Sequence, residues 1–212
     1  RDMKAMTHSF AAMGAYSDRT MNLVGTAEPR HLTVGIMTPH AMPVLGVPPL
    51  LGRAITPKDS TNEQVVVLSY GLWQTQFGGD AGIVDKAVRL DGEPYTVIGV
   101  MPASFAFPAR EIDAWVPFVL REAYFADRSD NFLSVVARLR PGVTTEQAAA
   151  DVAAVAARLE QLDRRANERT SAVVVDMRDE VSARSRMLVL ALCGAALCIL
   201  LLACANLASL LL

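Results

Sequence analysis

The chain has 212 residues, with 20 Lys and Arg against 22 Asp and Glu and a formal charge of −2. That balance gives no basic footprint for nucleic acid. The three cysteines, Cys193, Cys198 and Cys204, all lie near the C-terminal end, so the rest of the chain has neither a disulfide framework nor a cysteine-based metal or catalytic site.

Taken in order, Ala11 to Arg19 and Met21 to Val24 read as two short β-like runs, with a turn at Ala27-Glu28-Pro29-Arg30 and a strand over His31 to Met37. Thr38-Pro39 breaks that strand. Pro39 suits the first turn of a short helix through Leu45, which stops at Gly46. Ile55 to Glu63 is polar and loop-like, and Val65 to Leu68 is a compact β-branched strand. Ser69 is placed to cap a helix over Tyr70 to Phe77, which Gly78-Gly79 ends. Asp91-Gly92 between the apolar runs Ala87–Leu90 and Tyr95–Val100 is a strong hairpin signal, because both turn residues need positive φ. The proline-punctuated stretch around Phe105, Phe107 and Trp115 reads as irregular.

Further on, Phe132 to Leu139 is a strand and Pro141-Gly142 a turn. Thr144 and Gln147 form a T-x-x-Q capping box ahead of a helix striped with Ala148, Val152, Val155, Ala156, Leu159 and Leu162. Ala172 to Met177 reads as the next strand, giving a strand–helix–strand unit.

The end of the chain, Met187 to Leu212, holds no Asp, Glu, Lys or Arg. As a helix it is about 39 Å long at about 1.5 Å per residue, where a bilayer core of about 30 Å needs about 20 apolar residues. It is read as a transmembrane helix. Ile199, Leu202, Asn206 and Ser209 fall on one face, and Gly194/Cys198 and Ala205/Ser209 have small-xxx-small spacing. Gly194, Cys198, Asn206 and Ser209 are therefore expected to pack against other membrane helices, with Asn206 alternatively placed at the far interface, where its amide reaches water.

No catalytic constellation stands out. His8, His31 and His40 lack metal-ligand spacing, there is no P-loop, Ser69 is not in a G-x-S-x-G elbow, and Asp176, Asp179 and Glu180 lack the spacing of a calcium loop. Trp73, Phe77, Phe105, Phe107 and Trp115 read as core, with Trp73, Phe77 and Trp115 also candidates for docking a partner.

Several blocks carry a family likeness. They are Val44-Leu45-Gly46-Val47 with Leu51-Gly52-Arg53, the run Val65 to Trp73 with Phe77-Gly78-Gly79-Asp80, and Leu90 to Pro102, the most specific. Ala114-Trp115-Val116-Pro117, Arg138 to Val143 and Ala203-Cys204-Ala205-Asn206 complete the series. In order and spacing the chain resembles the periplasmic core domain of MacB-like ABC transporter permeases (the MacB/FtsX-type family), and is most similar to those of acidobacterial type.

The resemblance implies an α+β, two-lobed extracytoplasmic domain followed by the transmembrane helix at 187–212. A porter-like lobe with βα units would comprise 1–49 and 122–183, with a mainly-β sabre-like lobe inserted at 50–121. It implies a non-enzymatic transport subunit of the bacterial inner membrane, with its soluble part periplasmic. ATP hydrolysis in the cytoplasm would move the lobes and drive efflux, a mechanotransmission scheme. The implied partners are a second copy or paired permease, a cytoplasmic ABC ATPase, the lipid bilayer and a periplasmic adaptor protein. No cofactor, metal or nucleic acid is implied. The family topology puts the start of the last helix outside the cell, although Arg184 and Arg186 beside it, taken alone, favour the cytoplasm. The alternative reading is a membrane-tethered binding or sensor module with no coupled ATPase.

Overall fold

A computed structural model describes residues 6–25, 29–61, 64–118, 133–162, 173–177 and 190–200. Its first element is its longest strand, β1 (Phe10–Val24), one continuous strand where the sequence reads as two runs. In sequence the two runs part at Thr20. In the structure Asp18, Arg19 and Thr20 are exposed, while Met21 and Leu23 point into the core. The remaining strands are β2 (Arg30–Met37), β3 (Leu51–Gly52), β4 (Val65–Leu68), β5 (Ala87–Leu90), β6 (Glu93–Val100), β7 (Ala114–Pro117) and β8 (Ser134–Leu139). The helices are α1 (Ala41–Leu45), α2 (Tyr70–Phe77) and α3 (Thr145–Leu162).

Six of the strands close on themselves. β1 pairs with β2, β2 with β7, β7 with β4, β4 with β6, β6 with β5, and β5 returns to β1. Closure removes the free edges an open sheet would expose. Each strand of the ring turns two apolar residues inward: Met21 and Leu23, Leu32 and Val34, Ala114 and Val116, Val66 and Leu68, Val97 and Val100, Val88 and Leu90. The three-residue step from Val97 to Val100 follows from a bulge, where Val66 and Val67 sit opposite Val97 and Gly99. Leu72, Trp73 and Ile83 complete this cluster.

The outward-facing residues Met37, Val65, Val67, Ile98 and Trp115 form a second core under Ala41, Met42, Ile55, Met101, Phe107 and Ile112. β7 is therefore buried on both faces, which is why it shows no alternation in sequence and was expected to be irregular.

Local signals translate directly into geometry. Asp91 and Gly92 have φ of 51° and 86° in the β5–β6 hairpin. The Ser69 hydroxyl accepts from the Leu72 amide at 3.1 Å, and Gly78 ends α2 in the left-handed region. Thr144 and Gln147 exchange their bonds at 2.9 and 3.3 Å at the start of α3. The stretch expected as a plain polar loop after Ile55 contains a 3-10 turn, Pro57–Asp59, fixed from inside. Asp59 accepts from both guanidinium nitrogens of Arg53 at 2.8 Å and from the Thr56 amide at 2.9 Å. Burial pushes the Asp59 carboxyl up, but Arg53 and Thr56 together hold it below the ordinary carboxylate range.

The ring has a thin seam. β1 and β5 share only Leu23↔Leu90 and Val24↔Arg89. Asp91 reinforces it: its carboxylate accepts from the Asn22 amide at 2.8 Å and side chain at 2.9 Å, and its own amide donates to the Asn22 carbonyl.

Two expectations change, and a third lies mostly outside the described residues. Residues 173–177, expected within a strand, make no strand pairing and lie beside β8. The segment 50–121, expected as an inserted lobe, supplies β3 to β7, and its strands pair with β1 and β2 from the flank. Of the expected membrane span, 190–200 is helical and the rest lies outside the described residues; among the described residues no helix is long and apolar enough to cross a membrane.

Two measurements follow. Asp91→Ala should lower the unfolding free energy read from urea melts by about 1–2 kcal/mol from the left-handed backbone alone, and Asp91→Gly should recover that part. Excising 50–121 with a short linker should abolish cooperative melting, since the ring would lose four of its six strands; a retained sharp transition would count against the ring.

Candidate functional site: the junction on β1

β1 serves two partners along its length. Phe10 to Tyr16 pair with β8, and Tyr16 to Leu23 pair with β2. The handover falls at Tyr16, which faces both Met37 and Ser134. One strand thus belongs to the ring at one end and to the β8–α3 unit at the other.

The handover point is heavily tied. Thr38, buried just past β2, continues the ladder with its side chain: its Oγ1 accepts from the Ala15 amide at 2.8 Å and donates to the Ala15 carbonyl at 3.2 Å. The Thr38 amide also donates to that carbonyl at 2.8 Å. Helix α1 sits directly on β1 here. A Cβ on Gly14 would lie 2.3 Å from Ala41 Cα, so only glycine admits this approach. From β8, the Arg138 guanidinium donates to the Val44 carbonyl, from Nε at 3.0 Å and also from Nη2. This places a cation at the C-terminal turn of α1, where free carbonyls concentrate. Tyr16 meets Phe107 edge-on at 4.7 Å between ring centroids.

Beside the junction lies a cavity of about 540 Å³. Phe10, Met13, Tyr16, Phe107, Val136 and Val152 contribute to its mostly apolar lining. Along α3, Ala148, Val152 and Val155 are buried as the stripe requires.

The aromatic candidates occupy other places. Trp115 is 1 % exposed, and its indole N–H donates to the Phe107 carbonyl at 2.8 Å. Trp73 is 8 % exposed, with its N–H on the Asp80 carbonyl at 2.9 Å. Docking through either ring would need it on the surface, and the structure buries both. Phe77 is half-buried against the ring core. Gly194 and Cys198 are exposed on the 190–200 helix, while Asn206 and Ser209 lie outside the described residues. Among the described residues no group of three or more His, Cys, Asp or Glu is placed to hold a metal. The junction residues Gly14, Thr38 and Arg138 escape sequence reading because their partners are distant in the chain. Only the breaker at Thr38-Pro39 hints at them.

A small closed ring with an attached β8–α3 unit, sharing one strand, defines a mixed α+β domain. A family model for the MacB-like periplasmic core domain matches residues 2–155, and the chain belongs to that family. Its fold is similar to the extracellular domain of the noncanonic ABC-type transporter YknZ from Gram-positive bacteria, at 19% identity and a TM-score of 0.58, covering 76% of this chain and 81% of that one. It is also similar to the periplasmic region of MacB from Actinobacillus actinomycetemcomitans, at 16% identity and a TM-score of 0.59, covering 81% and 83%. No curated protein matches the sequence.

Gly14→Ala should destabilise the domain by about 1–3 kcal/mol through overpacking against the α1 backbone. Thr38→Val should cost about 1–3 kcal/mol by leaving the Ala15 amide unpaired. Both are read from denaturant midpoints, and a Gly14→Ala protein as stable as the parent would show that α1 can retreat without loss.

Proposed function

We propose that this domain is the moving extracytoplasmic part of a MacB-like ABC permease, and that β1 is the element that carries movement between its two parts. The observation behind this reading is the shared strand: β1 leaves β8 and enters the ring without interruption. A strand hydrogen-bonded at both ends cannot tilt in one part without loading the other. The family of permease components supports the general setting, in which work comes from an ATPase and not from chemistry in this domain.

The two lobes are then better divided at Tyr16 than at Leu50. The sabre-like lobe becomes the ring, from Ser17 to Phe118. The porter-like lobe becomes the first half of β1 with β8 and α3. Met187 to Leu212, with Gly194, Cys198, Asn206 and Ser209 on its packing faces, remains the proposed outside-to-inside membrane helix. The proposed assembly is a pair of permease subunits with a cytoplasmic ABC ATPase in the inner membrane, and efflux of an extracytoplasmic substrate, with an adaptor on the periplasmic side.

The test uses the full-length permease carrying this domain, reconstituted in nanodiscs with its ATPase. Cys193, Cys198 and Cys204 are changed to Ala, and spin labels are attached through Asp18→Cys on the exposed side of β1. The inter-subunit distance distribution should shift between the nucleotide-free and ATP-trapped states. Identical distributions with ATPase bound would sink the transport reading and leave the tethered binding or sensor module.

A further inference from the structure

The segment leading into β1 is held by an unusual concentration of bonds on one atom. Oδ2 of Asp151, from the second turn of α3, accepts from the His8 amide at 2.8 Å, the Ser9 amide at 2.9 Å and the Ser9 hydroxyl at 2.7 Å. The partners are 142 and 143 residues apart in sequence, so nothing local requires the contact. Two adjacent amides pointing at one carboxylate form a small anion-binding concavity, and a charged acceptor makes stronger bonds there than a neutral one. β8 holds the same segment from another side: the Arg140 amide donates to the Ser9 carbonyl at 3.0 Å, and its Nε to the Phe10 carbonyl at 3.2 Å. The entry segment's amides therefore go to α3 and its carbonyls to β8. The Ser9 hydroxyl and then the two amides hold the Asp151 carboxyl below its ordinary range.

We infer that Asp151 is a positioning residue, a clasp that makes α3 move with the chain entering β1. This rests on the reading under Proposed function, in which β1 carries movement between the two parts of the domain. Without the clasp, displacement would still pass along β1 into the ring through the ladder. It would reach α3 through β8, the turn before Thr144 and the packing of its buried stripe. With it, α3 is engaged directly at the point of entry. Asp151 borders the buried stripe of Ala148, Val152 and Val155, so the load on its carboxylate falls on a helix seated in its core.

Two measurements test this separately. The first concerns the clasp itself, by amide exchange on the 212-residue chain in detergent. The His8 and Ser9 amides should exchange about tenfold faster in Asp151→Ala than in the parent, as expected when a local opening loses its main bonds. Asp151→Asn, which keeps an acceptor oxygen at the same reach, should lie between. Ser9→Ala, which removes only the hydroxyl, should accelerate exchange less than Asp151→Ala and serves if that variant does not fold. Unchanged exchange in Asp151→Ala and Ser9→Ala overturns the inference.

The second measurement uses the reconstituted permease with labels through Ala154→Cys on the exposed side of α3, or through Asp18→Cys. In Asp151→Ala the ATP-dependent shift at Ala154 should fall below half of its parent value while the shift at Asp18 persists. Equal shifts at Ala154 in parent and variant overturn the clasp. A parent in which neither label shifts overturns the transport reading, and the transmitting role of Asp151 with it, whatever the exchange data show.

Discussion

Everything in this domain depends on the length of β1. A strand of ordinary length would serve either the ring or the β8–α3 unit. At 15 residues it serves both, and the rest of the architecture is arranged around the point where it changes partners. β2 and β8 flank β1 on opposite edges and overlap only at Tyr16, which pairs with Met37 on one side and Ser134 on the other. Thr38 then supplies one more pair of bonds from a side chain, so the strand crosses the handover with its amides and carbonyls satisfied. Gly14 lets α1 settle on the same spot, and Arg138 ties that helix to β8. Polar groups and packing converge there on three consecutive residues, 14 to 16.

The ring is stabilised differently. Its interior is filled by two apolar residues from each strand, a non-directional contribution that scales with buried area. Its weakest place is the short β1–β5 pairing, where the hairpin turn doubles as a fastener through Asp91 and Asn22. One residue thus sets the turn by its positive φ and closes the ring by its carboxylate. Arg53 and Asp59 do a comparable task outside the ring, where a buried carboxylate is tolerated because a guanidinium and a backbone amide meet it.

What could be read from the sequence follows the range of each interaction. Asp91-Gly92, the Ser69 cap and the Thr144–Gln147 box act within a few residues, and each appears in the structure where its residues predict. The blocks from Leu90 to Pro102 and around Trp115 carried the family likeness. The ring, the handover on β1 and the Asp151 clasp join residues tens to more than a hundred positions apart, and no local pattern encodes them. β7 was missed because burial on both faces erases alternation. The 50–121 segment reads as an insert in sequence, and its strands pair with β1 and β2 from the flank. Trp73 and Trp115 offered two readings in sequence, and their bonded indole nitrogens in the core decide against a surface role.

The pairing of Phe10 with Leu139 also has a consequence for how the domain is made. All six strands of the ring lie between Phe10 and Pro117. A chain emerging N-terminus first can therefore close the ring before β8 has appeared. Until Ser134 to Leu139 arrive, the first half of β1 is a strand edge without that partner, projecting from a body already folded. Such an edge is a template for any other strand within reach. The time between synthesis of Pro117 and of Leu139 is thus the interval in which two nascent copies can exchange β8, and a chaperone for this domain would have most to protect there.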